Sequence, residues 1–347
     1  MRDPPGCPVP AAGYDHIVLG HGSGGRLAAD LLRRVFLPAF DGATLARLED
    51  QATLPIAAGR LAFTTDAFVV RPLFFPGGDI GKLAVHGTIN DLAVGGAVPR
   101  WLSAAFILEE GLPIADLRRV VASMREACGE AGVELVAGDT KVVERGKGDR
   151  VFITTSGIGT VAADRQLSIA GARPGDRLIV SGTLGDHGIA ILAARGDLAL
   201  DTVLASDTQP LADLCHAMLE ACPSIRCMRD PTRGGLSSAL HELAAASGVS
   251  VRIEEAALPV RDEVRGACEL LGFDPLYIAC EGRLVVAVPP GDADRLLAVM
   301  RAHPRAAGAA IVGELTAGHP GRVVLRTRIG GDRIVALLAG EQLPRIC

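Results

Sequence analysis

Apolar and polar positions along the chain follow two periods in turn, one close to 2 and one close to 3.6. Between residues 61 and 160, "LAFTTD" (61–66), "WLSAAFIL" (101–108), "VELVAG" (133–138) and "VFITTSGIG" (151–159) read as strands. "DIGKLAVHGTINDLAVGG" (79–96) and "PIADLRRVVASMREACGEAG" (113–132) read as helices. The turn cluster "GARPGD" (171–176) then breaks the pattern and marks a domain boundary. Beyond it a second alternation begins. It predicts strands at 177–181, 250–254, 283–288, 309–315 and 322–328, and helices at 186–195, 208–221, 233–247, 260–271 and 291–302. Residues 331–347 hold one short apolar run and then an extended tail. Strands interleaved with helices in two blocks predict an α/β (α+β) chain of two domains.

Composition narrows the class. A length of 347 residues with 49% hydrophobic positions suits two buried cores. No stretch approaches the roughly 18 unbroken apolar residues that a membrane helix needs. The opening "MRDPPGCPVPAAGYD" is rich in Pro and Gly, with no apolar segment of a secretory signal. A soluble, cytoplasmic protein is expected. A net charge of −5, no basic run and 3% aromatics argue against nucleic acid as a partner. The eight cysteines never form C-x-x-C. Cys215, Cys222 and Cys227 read as small buried hydrophobes rather than ligands.

The candidate chemistry lies in short stretches. "GHGSGG" (20–25) lets backbone N–H groups approach phosphate, but lacks the Lys-[Ser/Thr] ending of a Walker A loop. Asp66 ends the apolar strand of "FTTDAFVV", and Asp139 follows "VELVA" in the same way. On the 79–96 helix, Ile80, Leu83, Ala84, Gly87 and Val94 share one face, with Asp91 in its middle. A carboxylate there is costly unless a cation or donors meet it. Three such aspartates suit Mg²⁺, carried between carboxylates and phosphates. In "MRDPTRGGL" (228–236), glycines and Arg233 before a helix suit an anion. His187 in "GDHG" can cap, pack or serve catalysis, and Glu281 in "ACEG" reads alone as a loop residue.

Together "GHGSGGR" (20–26), residues 63–99, "VAGDTKVVERG" (136–146), "GDHGIAI", "MRDPTRGGL", "GFDPLYIACEG" (272–282) and "EQLPRIC" (341–347) resemble one family. It is the HypE-type hydrogenase maturation proteins, carbamoyl dehydratases within the superfamily of aminoimidazole ribonucleotide synthetase and selenophosphate synthetase. The resemblance covers residues 20 to 347 and implies a function. A HypF-type carbamoyltransferase places a carboxamide on Cys347, ATP activates it, and dehydration leaves a thiocyanate. The cyano group passes to iron on a HypC/HypD-type scaffold, as a ligand of the [NiFe]-hydrogenase site.

The resemblance also assigns parts. It divides the chain into a glycine-rich extension (1–40), an ATP-binding and dimerising domain (41–165), a C-terminal domain (170–330) and a cysteine-bearing tail (331–347). It places ATP on Gly22, Gly24, Gly25, Asp66, Lys82, Asn90, Asp91, Asp139, Thr140 and Arg233, with Mg²⁺ on Asp66, Asp91 and Asp139. Cys347, Lys141, Glu281 and His187 become the catalytic set. A homodimer is implied. The tail from Arg333 to Cys347 is long enough to reach inward to ATP and outward to partners. Near the thiol, Arg345 would favour the thiolate and the terminal carboxylate would oppose it.

The alternative is another superfamily enzyme, such as a selenophosphate synthetase or thiamine-phosphate kinase. Selenophosphate synthetases carry a reactive Cys or Sec beside the early glycine-rich loop, and "GHGSGGR" has neither. A lipid-anchored scaffold is disfavoured because prenylation needs three residues after the cysteine.

Overall fold

Five strands build the first sheet of the computed structural model: β1 (Ala52–Ile56), β2 (Gly59–Phe68), β5 (Val98–Glu109), β6 (Glu134–Val143) and β7 (Val151–Val161). The structure describes residues 25–31, 33, 48–49, 52–56, 59–196, 204–340, 343 and 345–347. The strand order is β1-β2-β7-β5-β6, antiparallel except for β5 with β6. Alternation sends Ala62, Thr64 and Phe68 to a buried face and Phe63, Thr65 and Ala67 to the outer one. Register then builds the outer face from rows, Phe63 with Ile158 and Trp101, Ala67 with Thr154 and Ala105.

The short pair β3 (Phe74–Phe75) and β4 (Gly78–Asp79) leads into α2 (Ile80–Val94), which lies against the inner face of this sheet; α1 (Arg26–Leu31) precedes it in the chain. The Asp79 carboxylate starts α2 by accepting from the N–H groups of Gly81 and Lys82, at 2.7 and 3.1 Å. The single apolar face expected for this helix is only part of the picture. α2 is buried almost all round, because its other flanks meet α3 (Ile114–Ala131) and α5 (Ala212–Ala221). A helix clamped between two layers needs apolar or hydrogen-bonded residues on every side.

The second sheet has the order β14-β13-β10-β12-β8-β11-β9. Its strands are β8 (Arg177–Val180), β9 (Cys227–Arg229), β10 (Ser250–Glu254), β11 (Val285–Val288), β12 (Ala310–Thr316), β13 (Val323–Arg326) and β14 (Asp332–Val335). Around it stand α4 (Asp186–Ala194), α5, α6 (Gly235–Ser247), α7 (Asp262–Leu271) and α8 (Ala293–Ala302). β11 is wholly buried, and its four residues Val285–Val288 are all apolar.

The predicted strands and helices are present, with ends moved by a few residues. β1, β9, β14 and the β3–β4 pair were not predicted, since each is two to five residues long and most lie at sheet edges. The helix expected from 208 begins at Ala212 instead. Cys215 and Cys222 lie in the apolar core with Leu214 and Met218, and Cys227 in that of β8 and β11. Among the described residues no group of three His, Cys, Asp or Glu is placed to hold a metal ion. Also among them, no helix is long and apolar enough to cross a membrane.

The described tail residues lie folded inward. The Val69 N–H donates to the Cys347 oxygen at 2.9 Å and the Arg71 N–H to the Arg345 carbonyl at 3.1 Å. Leu343 and Ile346 are buried in the core of α2 and α4. Gly188 makes room for Leu343: a Cβ there would stand 2.5 Å from Ile278 Cγ2 and 3.1 Å from Leu343 Cδ1.

Candidate active site

β2 and α2 bring two carboxylates together. The Thr88 hydroxyl donates to Asp66 at 2.9 Å, and the Thr64 hydroxyl to Asp91 at 2.8 Å. Burial pushes the Asp66 carboxyl above its ordinary range, with the Thr88 bond and the Arg233 charge opposing. The loop before α6 adds Asp230, Thr232 and Arg233. Gly234 and Gly235 turn it at φ 79 and 61, a conformation that favours glycine. Glu281 enters from the loop ahead of β11, and Cys347 from the tail. These side chains line one pocket with Phe68 and Gly87. With the tail seated a cavity of about 40 Å³ remains there.

Carboxyls outnumber cations in this pocket: Asp66, Asp91, Asp230 and Glu281 face Arg233. Burial first, then the Asp207 and Asp230 carboxylates, hold the Glu281 carboxyl well above its usual range, with Arg233 opposing. The Cys347 thiol is pushed up to about 12 by burial and then by Glu281, to which it is hydrogen-bonded, while Arg233 pulls it down. In this seat the sulfur therefore stays protonated. Arg233 is the cation that faces it, and Cys347 is the largest cause raising the arginine's own pKa. Arg345, expected to act on the thiol, has its guanidinium on Asp149 instead.

The remaining predicted residues scatter. Asp139 and Lys141 pair in register with Ala105 and Ile107, on the outer face of the first sheet. They form a solvent-exposed ion pair at 3.3 Å, with Thr140 between them in the strand. So the three aspartates do not converge within one chain. Asp66 and Asp91 meet on the inner side, and strand alternation puts Asp139 on the other. Gly22 and Gly24 lie outside the described residues. Gly25 is buried, with the Leu338 carbonyl oxygen where a Cβ would stand. Lys82 is half-buried in the first turn of α2.

Two of the expected site residues are engaged within the fold. Asn90, expected to bind nucleotide, is 1% exposed, and its amide is engaged by backbone. It donates to the carbonyls of Gln209 and Glu281 at 3.0 and 3.2 Å and accepts from the Leu211 N–H at 2.8 Å. It rivets α2 to the second unit. His187, expected among the catalytic residues, is fully buried with both ring nitrogens in use. Nε2 meets the Ile346 carbonyl at 2.6 Å and Nδ1 the Ser206 hydroxyl at 2.7 Å. A carbonyl only accepts, so Nε2 carries the proton and is no base while the tail is seated.

Sequence reasoning missed the segment 206–209, "SDTQ". Asp207 accepts from the Glu281 N–H at 3.0 Å and stands 3.5 Å from Arg283. Burial raises its carboxyl to about 6. Thr208 meets His86 at 3.1 Å, and Gln209 donates to the Gly282 carbonyl at 2.8 Å. The only signal was a polar run before a helix, which reads as an ordinary helix start.

Residues 48–161 match the family described as "AIR synthase related protein, N-terminal domain", and 173–326 its C-terminal counterpart. The class is thus the two-domain AIR synthase related proteins. Carbamoyl dehydratase HypE of Cupriavidus necator is 55% identical over 332 residues, 95% of each chain. A crystal structure of HypE in complex with ATP superposes with TM-score 0.81 at 46% identity, covering 94% of this chain and 98% of that one. HypE in a HypE–HypF complex gives 0.84 at 47% identity, over 89% and 99%. The chain belongs to the HypE family of carbamoyl dehydratases. The resemblance carried by its motifs holds, and the α/β superfamily fold with it.

Proposed function

We propose that this chain dehydrates a carboxamide carried on Cys347 to a thiocyanate, using ATP, and so supplies the cyanide ligand for [NiFe]-hydrogenase maturation. The observation that carries this is the Cys347 thiol seated among Glu281, Arg233, Asp66 and Asp91. A sulfur so placed is the carrier, not a nucleophile exposed to solvent. The carboxamide comes from a HypF-type carbamoyltransferase while the tail is unseated, and the cyano group leaves to iron on a HypC/HypD-type scaffold, in the cytoplasm.

The chemistry divides simply. An amide oxygen is a poor leaving group, and taking the γ-phosphoryl of ATP makes it a good one. One N–H proton leaves as the oxygen takes the phosphoryl group and the second as the C–O bond breaks, so two acceptors are needed: Glu281 for one and the departing phosphate for the other. The hydrogen bond to the sulfur puts Glu281 beside the reacting carbon, and burial makes its carboxylate a stronger base than usual. Arg233 offsets negative charge. The paired, part-buried Asp66 and Asp91 fit a divalent cation, whose charge relieves their own repulsion; Mg²⁺ bound there would neutralise the phosphates.

Asp139, Thr140 and Lys141 act from a second copy in this reading. Phe63 and Trp101 are 41% and 42% exposed on the outer sheet face, and an exposed apolar patch of this kind supports pairing of residues 41–165 through that face. Residues 170–330 then supply Glu281 and Arg233. The test is mass spectrometry of the Cys347 peptide after incubation with carbamoyl phosphate, the carbamoyltransferase and ATP. A carboxamide adduct that loses water only with ATP is expected. Absence of any adduct on Cys347, or selenide-dependent ATP hydrolysis, overturns it.

A further inference from the structure

His187 sits fully buried at the start of α4, with one ring nitrogen on the tail and the other on Ser206. Its Nε2–H donates to the Ile346 carbonyl at 2.6 Å, one residue before Cys347. Its Nδ1 accepts from the Ser206 hydroxyl at 2.7 Å, and Ser206 Oγ accepts from the Thr208 N–H at 3.2 Å. The Ser206 N–H in turn donates to the Pro76 carbonyl at 2.8 Å. The Phe75 ring meets the imidazole edge-on, 5.8 Å between centroids. A continuous line of bonds thus runs from the β3–β4 turn through Ser206 and His187 to the backbone of the tail.

The line has a direction fixed by chemistry. The carbonyl at its far end has no proton to give, so the ring must present N–H there and a bare nitrogen to Ser206. Burial holds the ring neutral, with its pKa lowered to about 4, which keeps that tautomer available. On the other flank, Arg195 donates to the Arg345 carbonyl at 2.7 Å. Arg345 itself has φ 55, left-handed for a residue with a side chain. The seated tail is therefore held against local backbone strain, and a specific bond must favour it.

We propose that His187 is the positioning residue for the carrier cysteine: it pins the Ile346 carbonyl through Nε2–H, and Ser206 sets its tautomer, so that the Cys347 substituent meets Glu281 and Arg233. This deepens the functional reading above and rests on it. His187 moves no proton of the substrate. With the Val69, Arg71 and Arg195 bonds to the tail it biases the tail toward its seat, and so favours the half of the cycle in which dehydration takes place with the tail in.

Two side chains separate positioning from proton transfer. Glutamine places an N–H close to where His187 Nε2 lies but cannot act as a base, whereas asparagine is too short to reach Ile346. The full-length protein is compared as wild type, His187→Gln, His187→Asn, His187→Phe and Ser206→Ala. Alkylation of Cys347 by iodoacetamide, read on its peptide, reports the unseated fraction, because the seated thiol is part-buried and protonated. Loss of one buried bond raises that rate about tenfold in His187→Asn and His187→Phe, with His187→Gln close to wild type. Ser206→Ala, which keeps the His187 bond to Ile346 but frees the tautomer and removes the acceptor of the Thr208 N–H, gives about threefold. Dehydration of the preloaded carboxamide slows in the same order.

Equal alkylation rates in all five proteins overturn the proposal. So does a His187→Gln protein as inactive as His187→Phe while its alkylation stays at the wild-type rate, since that assigns His187 to proton transfer. Wild-type protein that takes up no carboxamide refutes the functional reading instead, and the alkylation series still judges the pin.

Discussion

Replacing Asn90 by leucine tests whether the α2 junction is structural or a nucleotide contact. The shape is nearly kept, so the change is mainly one of hydrogen bonds. Two carbonyls, on Gln209 and Glu281, lose a donor, and the Leu211 N–H loses its acceptor. At about 1 kcal/mol for each buried group left without its partner, the cost is about 3 kcal/mol. Across 347 residues, an unfolding entropy of about 2.1 cal/mol/K per residue gives about 0.7 kcal/mol/K. The melting temperature of Asn90→Leu, measured by calorimetry, should therefore fall by about 4 °C if both units unfold together. Because one of the three groups is the Glu281 carbonyl itself, dehydration should fall by about tenfold or more as that loop shifts. ATP affinity should change little. The reasoning is refuted by the reverse result: an unchanged melting temperature with ATP binding weakened tenfold, which would make Asn90 the nucleotide ligand its sequence context suggests.

Other outcomes follow from the same geometry. Glu281→Gln, uncharged and of equal size, should accept the carboxamide on Cys347 yet give no thiocyanate by mass spectrometry; full conversion would remove Glu281 from the chemistry. Trp101→Glu places a charge on the exposed sheet face; if the proposed pairing holds, sedimentation should show a dimer for the wild type and a monomer for the variant, with unchanged circular dichroism, and equal sedimentation of the two would refute pairing through this face. Burial lowers the His86 pKa to about 3, from 6.5. The folded state thus favours neutral imidazole, and that stability is full above pH 6.5 and lost as pH falls toward 3. At pH 5 the loss is about 2 kcal/mol. His86→Phe should lose its deficit relative to wild type by that amount between pH 7 and pH 5 in urea titrations; a constant difference would show that His86 does not titrate with unfolding.

Periodicity made most of the fold legible. β2, β5 and β7 show their alternation plainly, and α2 shows its length and its Asp79 cap. The short strands β9 and β14 do not, because three or four residues carry no period and are strands only through their neighbours. Asp66 and Asp91 were legible because a carboxylate in an apolar run is anomalous in any fold. The side on which Asp139 falls was not. That depends on how β6 aligns with β5, and a register shift interrupts their pairing between Leu102 and Ser103. The partners of Asn90 were not legible for a related reason: they are backbone groups more than a hundred residues away, and backbone has no sequence signature.

The segment Ser206–Gln209 shows how far such reasoning can go. Its four side chains face four different parts of the site: Ser206 the tail-holding histidine, Asp207 the Glu281 backbone, Thr208 the buried His86, and Gln209 the Gly282 carbonyl. Each bond is ordinary by itself, and none follows a period. Gly282 shares the constraint, since a Cβ there would collide with the Asp207 carbonyl. A strap of this kind costs conformational freedom that only tertiary contacts return, so it has no reason to be rigid unless both ends of the site must move together. The tail carbonyl and the Glu281 loop are those ends. Fixing both from one four-residue segment ties the seat of the sulfur to the carboxyl beside it, and that link makes Cys347 part of a site rather than the loose end of a chain.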